Sequence, residues 1–480
     1  MKRDRIEGFW AKLKRDDKGE IVDWHPLIGH SADVAAVTEA LLSRTILNRR
    51  IASLIGWEKL SAAHIARFSA LAAIHDAGKV NHGFQNKMHN SKQPIAGHLS
   101  PIIELLNADV KYQEKLLIPL GIDKVLEWFP DQRIAVHFLL ATWGHHGRPV
   151  QIQNNFKATL WNETDERNPE DGLRKLAEAV YQWFPTAYVD NIEPFPKAPI
   201  LQHTFNGLLT LADWLGSDQK FFKFSEYDEG YIETARQNAA NAVEKLALDP
   251  HKPRKQLGAD PIQFDRIANF KPFDIQQQCL DLPIHRNGSL TILESDTGSG
   301  KTEAAIARFV RLYQKCLVDG MYFAVPTRSA ATQLYNRVVE ATQKVFPDEE
   351  TRPPVVQAVS GYIKADAEEA VALPDFNVLW PEDKRDLLRE RGWAAEHPKR
   401  YLAGAIVVGT IDQVFLSTLQ VNHAHMRAAA LLRHFLVVDE VHSSDAYMTK
   451  LLDRVLDYHL AAGGHALLMS ATLGTASRVH

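Results

Sequence analysis

Cysteine is scarce: the 480-residue chain holds two, Cys279 and Cys316. That excludes a disulfide framework and a CxxC metal knuckle, so any metal must be held by histidine and carboxylate. A reducing, cytoplasmic setting is the simplest expectation. No run of 18 apolar residues occurs, so no membrane span is expected. The charged N-terminus MKRDRIEGFWAKLKRDDKGE offers no apolar stretch for a signal peptide. Basic charge is not in excess either. A formal net charge of −4 excludes coating of nucleic acid by bulk charge and leaves only a local basic groove. Histidine, by contrast, is plentiful, with 21 residues. Length alone suggests two or three domains.

The first half reads as helical. WHPLIGHSADVAAVTEALL, AAHIARFSALAAIHDAG, DQRIAVHFLLATWG and FNGLLTLADWLG carry apolar residues at three- and four-residue spacing. Gly78, Gly144 and Gly216 stand where helix C-caps would be, and no strand is expected before about residue 285. Residues 217–262 are polar and charged and are expected to hold a helix flanked by linker, which places a domain boundary there: a first domain over 1–225, a linker region over 226–262 and a second domain over 263–480. The second half carries short β-branched runs at 290–295, 322–327, 405–410, 435–440 and 466–472, with helical patterns in most of the gaps. Buried parallel strands look like this. The expected fold is multidomain, an all-α domain followed by an α/β parallel-sheet domain, with residues 361–400 as an insertion.

ESDTGSGKTEAA (294–305) follows a strand and opens a helix. Thr297, Gly298, Ser299 and Gly300 can curl so that backbone N–H groups face phosphates. Lys301 can reach the β- and γ-phosphates of ATP, and Thr302 can bind Mg²⁺. Ser295 stands where the general P-loop pattern has glycine. VVDEVH (437–442) ends a later strand, where Asp439 can hold Mg²⁺ and Glu440 can activate water. With Ser470-Ala471-Thr472, these motifs resemble the first RecA-like lobe of superfamily 2 helicases, many of which lack that first glycine. The resemblance implies that Gln276 reads adenine. It also implies that Thr327, Arg328, Thr410 and Gln413 contact DNA, and that Ser470 and Thr472 couple hydrolysis to motion. The sequence in hand stops at His480, where a second lobe would follow. On this reading the chain is expected to bind ATP weakly and not to unwind DNA.

Isolated histidines are weak signals; with 21 in 480 residues, about one adjacent pair is expected by chance. An ordered set is different. It runs Gly29-His30, His75-Asp76-Ala77-Gly78-Lys79, Gly97-His98, Gly144-His145-His146-Gly147 and Ala212-Asp213-Trp214, each at or near an apolar helical pattern. Asp213 lies among leucines and needs a counter-charge, which a metal supplies. Two divalent cations can clamp a phosphodiester and generate a hydroxide nucleophile. Imidazole-rich ligands suit Mn, Fe, Co, Ni or Zn. Asp76 is the natural bridging carboxylate, and Lys79 can steady phosphate charge. His25, His64, His82, His89, His137 and His203 match no motif position and are taken as ordinary residues.

The set resembles the HD phosphohydrolase superfamily. Combined with the helicase motifs, Phe84-Gln85 and Gly409–Gln413, it resembles the type I CRISPR-associated helicase–nucleases from about residue 20 to 473. That resemblance implies one ion on His30, His75, Asp76 and Asp213, and a second on Asp76, His98, His145 and His146. It implies metal-dependent cleavage of single-stranded DNA, with Asp76, Lys79 and Glu440 as catalytic residues. It further implies recruitment by an RNA-guided surveillance complex, with room for an inhibitor or partner protein at the nuclease entrance. The alternative is an HD nucleotide phosphohydrolase regulated by its nucleotide-binding lobe.

Overall fold

The computed structural model describes residues 8–88, 94–147, 150, 152–296, 298–372, 378–381, 385–441 and 445–471. The chain divides into two compact units, Met1–Ser43 with Leu60–Ala242, and Arg44–Lys59 with Val243–His480.

The first unit is helical but opens on a hairpin that the sequence reading missed. Strands β1 (Trp10–Arg15) and β2 (Ile21–Pro26) pair antiparallel, with register shifts between Trp10 and Lys12 and between Lys14 and Arg15. Lysines and arginine on β1 gave this segment the look of a polar tail. Helix α1 (Leu27–Arg44) follows β2 without a loop and buries most of its residues. The following helix, α2 (Leu47–Ser53), belongs to the second unit, where Arg50 donates to the carbonyls of Leu432 at 3.0 Å and Leu317 at 2.6 Å. Helix α3 (Ala62–Ala73) starts at Ser61, whose hydroxyl accepts the His64 N–H, as N-cap serines do.

Two of the three expected glycine caps are shifted. Helix α3 ends at Ala73, so His75 and Asp76 lie beyond it, and Gly78 sits in a 3-10 turn, Ala77–Val80. Gly144 does cap helix Gln132–Trp143, which starts on the Asp131 side chain. Gly216 is the last residue of helix Pro199–Gly216, and Ser217 is its cap. The 217–262 segment, expected to hold a helix flanked by linker, carries two helices, Tyr231–Lys245 and His251–Leu257. The division between units falls at Ala242/Val243. Tyr231 donates its hydroxyl to Asp33 at 3.0 Å, a tertiary contact that local composition cannot reveal.

The second unit is built on an eight-stranded sheet. Its strands are β3 (Ser289–Glu294), β4 (Gly320–Val325), β5 (Val355–Ala358), β6 (Lys364–Ala365), β7 (Glu368–Glu369), β10 (Ile406–Thr410), β11 (His434–Val438) and β12 (His465–Ser470); β8 (Val371–Ala372) and β9 (Val378–Leu379) form a separate pair. The order is β3-β12-β11-β4-β10-β5-β6-β7, parallel from β3 to β5 and antiparallel at β6 and β7. The five predicted strands lie within two residues of β3, β4, β10, β11 and β12. Strand β5 went unread because VVQA is short and follows a Pro-Pro pair. Helices Lys301–Gln314 and Arg328–Val345 pack on the sheet, and Phe309, Val310, Leu334 and Val338 join Phe323, Val408, Val437 and Leu467 in one core. Covered on both faces, such strands read as continuous apolar runs.

Candidate metal centre and nucleotide loop

Asp76 is the hub of the first unit. Its carboxylate is 2% exposed and lies 3.3 Å from His30 Nε2, 3.3 Å from His75 Nε2, 3.1 Å from His98 Nε2 and 3.7 Å from His145 Nε2. Lys79 Nζ is 2.5 Å from its Oδ2. Asp213 Oδ1, delivered by helix Pro199–Gly216, lies 3.4 Å from His30 Nε2 and 3.7 Å from His75 Nε2. His146 completes the group through ring contacts of 4.9 Å with His98 and 4.6 Å with His145. All seven residues predicted as ligands therefore converge. Three sets of ligand atoms, His30/His75/Asp76, His75/His145/Asp213 and His98/His145/His146, each lie within 4.8 Å of one another.

The donor set fits divalent metal. His75 directs Nδ1 at the carbonyl of Ala72, 2.7 Å away, and His145 directs Nδ1 at that of Thr142, 3.1 Å away. Each carbonyl can only accept, so the neutral ring carries its proton on Nδ1 and leaves the Nε2 lone pair facing Asp76. Among the described residues, buried His75 Nε2, His98 Nε2 and Asp76 Oδ1 face one another at ion-pair distance without hydrogen-bond geometry. Burying such atoms costs about 1–3 kcal/mol each unless something binds them.

The electrostatics say the same. Burial alone would push Asp76 up, but the Lys79 ammonium, then His75 and His98, hold it well below the usual carboxylate range. Burial would lower His75, yet Asp76 and Asp213 override it and raise its pKa to about 9. The pocket draws in positive charge. His30, where burial prevails, falls to about 4, so its ring is uncharged at neutral pH.

A second layer holds the ligands. Trp143, immediately before Gly144, donates Nε1–H to the Ile74 carbonyl at 3.2 Å, tying the two ligand turns together. Asn206 donates to the Ala141 carbonyl at 2.7 Å and the Gly144 carbonyl at 3.3 Å, and Thr210 donates to the His145 carbonyl at 2.9 Å. Asn81 bridges the carbonyls of Gly78 at 2.6 Å and Gly97 at 2.9 Å, fixing His98 beside Asp76. Gln85 bonds both Trp10 and the Lys79 carbonyl, docking the hairpin on the site.

His25, taken as an ordinary residue, is buried beside the centre. Its ring stacks on Phe224, contacts Asp33 at 2.8 Å, and lies 6.4 Å from the ring of His30. Lys12 was missed. Burial, its largest influence, lowers its pKa to about 8 against the attraction of Asp213. Only the tertiary pairing of β1 with β2 could have pointed to it.

In the second unit, Gly298 and Gly300 take φ of 83° and 85°, where glycine is at ease. Lys301 Nζ donates to the carbonyls of Ser295 at 2.6 Å and Asp296 at 3.1 Å, and Lys301 begins its helix with Thr302 next to it. Gln276, the expected adenine reader, lies against this loop. It is fully buried, and its amide accepts the Phe273 N–H at 2.9 Å and donates to the Gly300 carbonyl at 3.2 Å. Its side chain therefore braces the loop. Ser295 N–H donates to the Ser470 carbonyl at 3.1 Å, joining those two motifs, and Asp439 N–H donates to Ala324 at 2.9 Å. Glu440 has φ of 55°, the strained left-handed region. Thr327 caps helix Arg328–Val345, and Arg328 lies 5.8 Å over the ring of Tyr362. The Thr410 carbonyl accepts from Tyr322 at 3.0 Å, and Gln413 sits in the next helix, Ile411–Phe415. Ser299 has a buried hydroxyl without a partner. Thr297 and Thr472 lie outside the described residues.

A histidine–aspartate centre in a helical unit, followed by a P-loop unit with a parallel-rich sheet, defines an HD-type domain joined to a helicase domain. The "Cas3, HD domain" family matches residues 10–222, and the "DEAD/DEAH box helicase" family matches residues 273–479. The chain is homologous over nearly its whole length to the Cas3 nuclease/helicases. It is 27% identical to the CRISPR-associated endonuclease/helicase Cas3 of Escherichia coli K12, over 97% of this chain and 54% of that protein. The crystal structure of T. fusca Cas3 superposes with a TM-score of 0.71 at 23% identity, covering 98% of this chain and 50% of the other. A chain of a CRISPR RNA-guided surveillance complex in a pre-nicking state has a TM-score of 0.60 at 21% identity, covering 98% of this chain and 48% of the other. The chain spans about half the length of the curated relatives it matches. Among the described residues no helix is long and apolar enough to cross a membrane.

Proposed function

We propose that this chain is a metal-dependent DNA nuclease joined to an ATP-binding helicase lobe, acting in the cytoplasm in CRISPR defence. Its substrate is single-stranded DNA opened by an RNA-guided surveillance complex. The observation that carries this reading is the convergence of five imidazoles and two carboxylates around Asp76, with unsatisfied ligand atoms facing inward. Two divalent transition-metal ions bound there would supply a nucleophilic water of lowered pKa and charge against the phosphoryl oxygens. His30, His75, Asp76 and Asp213 would hold one ion, and Asp76, His98, His145 and His146 the other. Lys79, whose Nζ lies 2.5 Å from Asp76 Oδ2, would steady phosphate charge. In the other unit, Lys301, Thr302 and Asp439 would hold ATP and Mg²⁺, and Glu440 would orient the attacking water.

Circular single-stranded DNA and a deoxynucleotide mixture offered to one Mn²⁺-loaded preparation test this. Cleavage of the circle, lost in excess chelator and restored by Mn²⁺, Co²⁺ or Ni²⁺, is expected. Turnover of the nucleotides alone would make the chain a nucleotide phosphohydrolase instead.

A further inference from the structure

The hairpin carries an ammonium that no motif accounts for. Lys12 sits on β1 opposite His25, just after the register shift that follows Trp10. Such irregularities turn side chains out of the ordinary alternation and recur beside active sites. The strand is held firmly at this point. Trp10 N–H donates to Gln85 Oε1 at 3.3 Å, while Gln85 Nε2 donates to the carbonyls of Trp10 at 3.0 Å and Lys79 at 2.7 Å. The Trp10 and Phe84 rings lie 4.6 Å apart. Lys12 is thus fixed, two residues along a clamped strand, on the hub that bears Lys79.

Its surroundings leave its charge unanswered. Lys12 is half-buried and makes no ion pair or hydrogen bond among the described residues. The carboxylates whose charge it feels are Asp213, Asp76 and Asp33, and each is already engaged. Asp76 holds Lys79 at 2.5 Å. Asp213 accepts from Ser217 at 3.0 Å and faces His30 and His75. Asp33 holds His25 at 2.8 Å and Tyr231 at 3.0 Å. A metal held by Asp76 and Asp213 would leave still less negative charge for Lys12. A confined ammonium without a counter-ion is a site for an anion.

We propose that Lys12 is a second cationic contact for the DNA backbone in the nuclease site, gripping a phosphate alongside Lys79. This rests on the nuclease reading above. Lys12 binds substrate and is no metal ligand, so its loss weakens phosphate binding and leaves metal loading intact.

The test uses the full chain loaded with Mn²⁺, as wild type, Lys12→Met, Lys12→Arg and Asp76→Ala. Cleavage of a single-stranded oligonucleotide is followed across a salt series. Mn content is measured by mass spectrometry, and inorganic phosphate binding by the shift in melting temperature. Lys12→Met is expected to carry wild-type Mn, lose the phosphate-induced shift, and drop about a hundredfold in kcat/KM. Its dependence of log kcat/KM on log salt should flatten by about 0.7, one phosphate contact on a single strand. Lys12→Arg, which keeps the charge, should recover most of both. The proposal is overturned if Lys12→Met cleaves and responds to phosphate like wild type, or if its Mn content falls in step with its activity. Should Asp76→Ala cleave as well as wild type, the nuclease reading itself falls and Lys12 with it. A dead Asp76→Ala beside a fully active Lys12→Met removes only the Lys12 inference.

Discussion

The backbone of Gly78 lies so close to the His98 carbonyl that a Cβ on Gly78 would overlap its oxygen. His98 Nε2 is 3.1 Å from Asp76, so this contact sets the distance between the aspartate turn and the histidine that follows it. Gly78→Ala must push the His98 segment away. A loss of about 1–3 kcal/mol in stability is expected, together with lower Mn occupancy. Chemical denaturation and metal analysis of the same preparation check both.

The loop carrying His145 hangs on two side chains of the Asp213 helix, Asn206 and Thr210. Thr210→Val keeps the shape and removes the hydrogen bond to the His145 carbonyl. Metal affinity should fall roughly 10- to 100-fold, the usual effect of losing such support. Mn²⁺ titration by calorimetry gives the number; unchanged affinity would mean the loop holds itself.

Three buried histidines of the sheet unit predict acid lability. Burial, then Arg433 for His434 and Arg50 for His459 and His465, lowers each to about 3. Folded, they stay neutral; unfolded, they protonate below the ordinary histidine value of about 6.5. The unfolded state thus binds more protons between those limits, and stability falls with pH there, by up to about 1.4 kcal/mol per pH unit for each histidine. His459 Nε2 donates to the His465 carbonyl at 3.2 Å. His459→Gln can keep that donor yet cannot titrate, so it should flatten the acid limb of a pH series of urea midpoints.

Lys301 and the histidine centre belong to different units. Lys301→Ala should abolish protection of the chain by ATP and Mg²⁺ against thermal unfolding, because the P-loop lysine is the cation for the β- and γ-phosphates. Metal-dependent cleavage of single-stranded DNA should persist. Loss of both activities would show that nucleotide binding gates the nuclease.

Much of this was legible because the chemistry demands particular residues in a particular order. His30, His75, Asp76, His98, His145, His146 and Asp213 were singled out from sequence, and all seven meet. The P-loop and its strands were readable because buried parallel strands leave apolar runs. The misses are non-local. The hairpin hides its pairing beneath Lys12, Lys14 and Arg15. Helix α2 gives no local sign that Arg50 binds carbonyls hundreds of residues away. The bonds of the Gln276 amide to Phe273 and Gly300 are likewise set by the fold and not by local sequence. The placement of Lys12 comes from β1 and β2 pairing beside the centre.

The central claim is that Asp76 organises a metal-dependent nuclease. Its most direct test is cleavage of circular single-stranded DNA by Mn²⁺-loaded wild type and Asp76→Ala, with bound Mn and circular dichroism measured on both. A folded Asp76→Ala that has lost Mn and at least about a thousandfold in rate is the predicted result. A folded Asp76→Ala that cleaves at the wild-type rate would contradict the account.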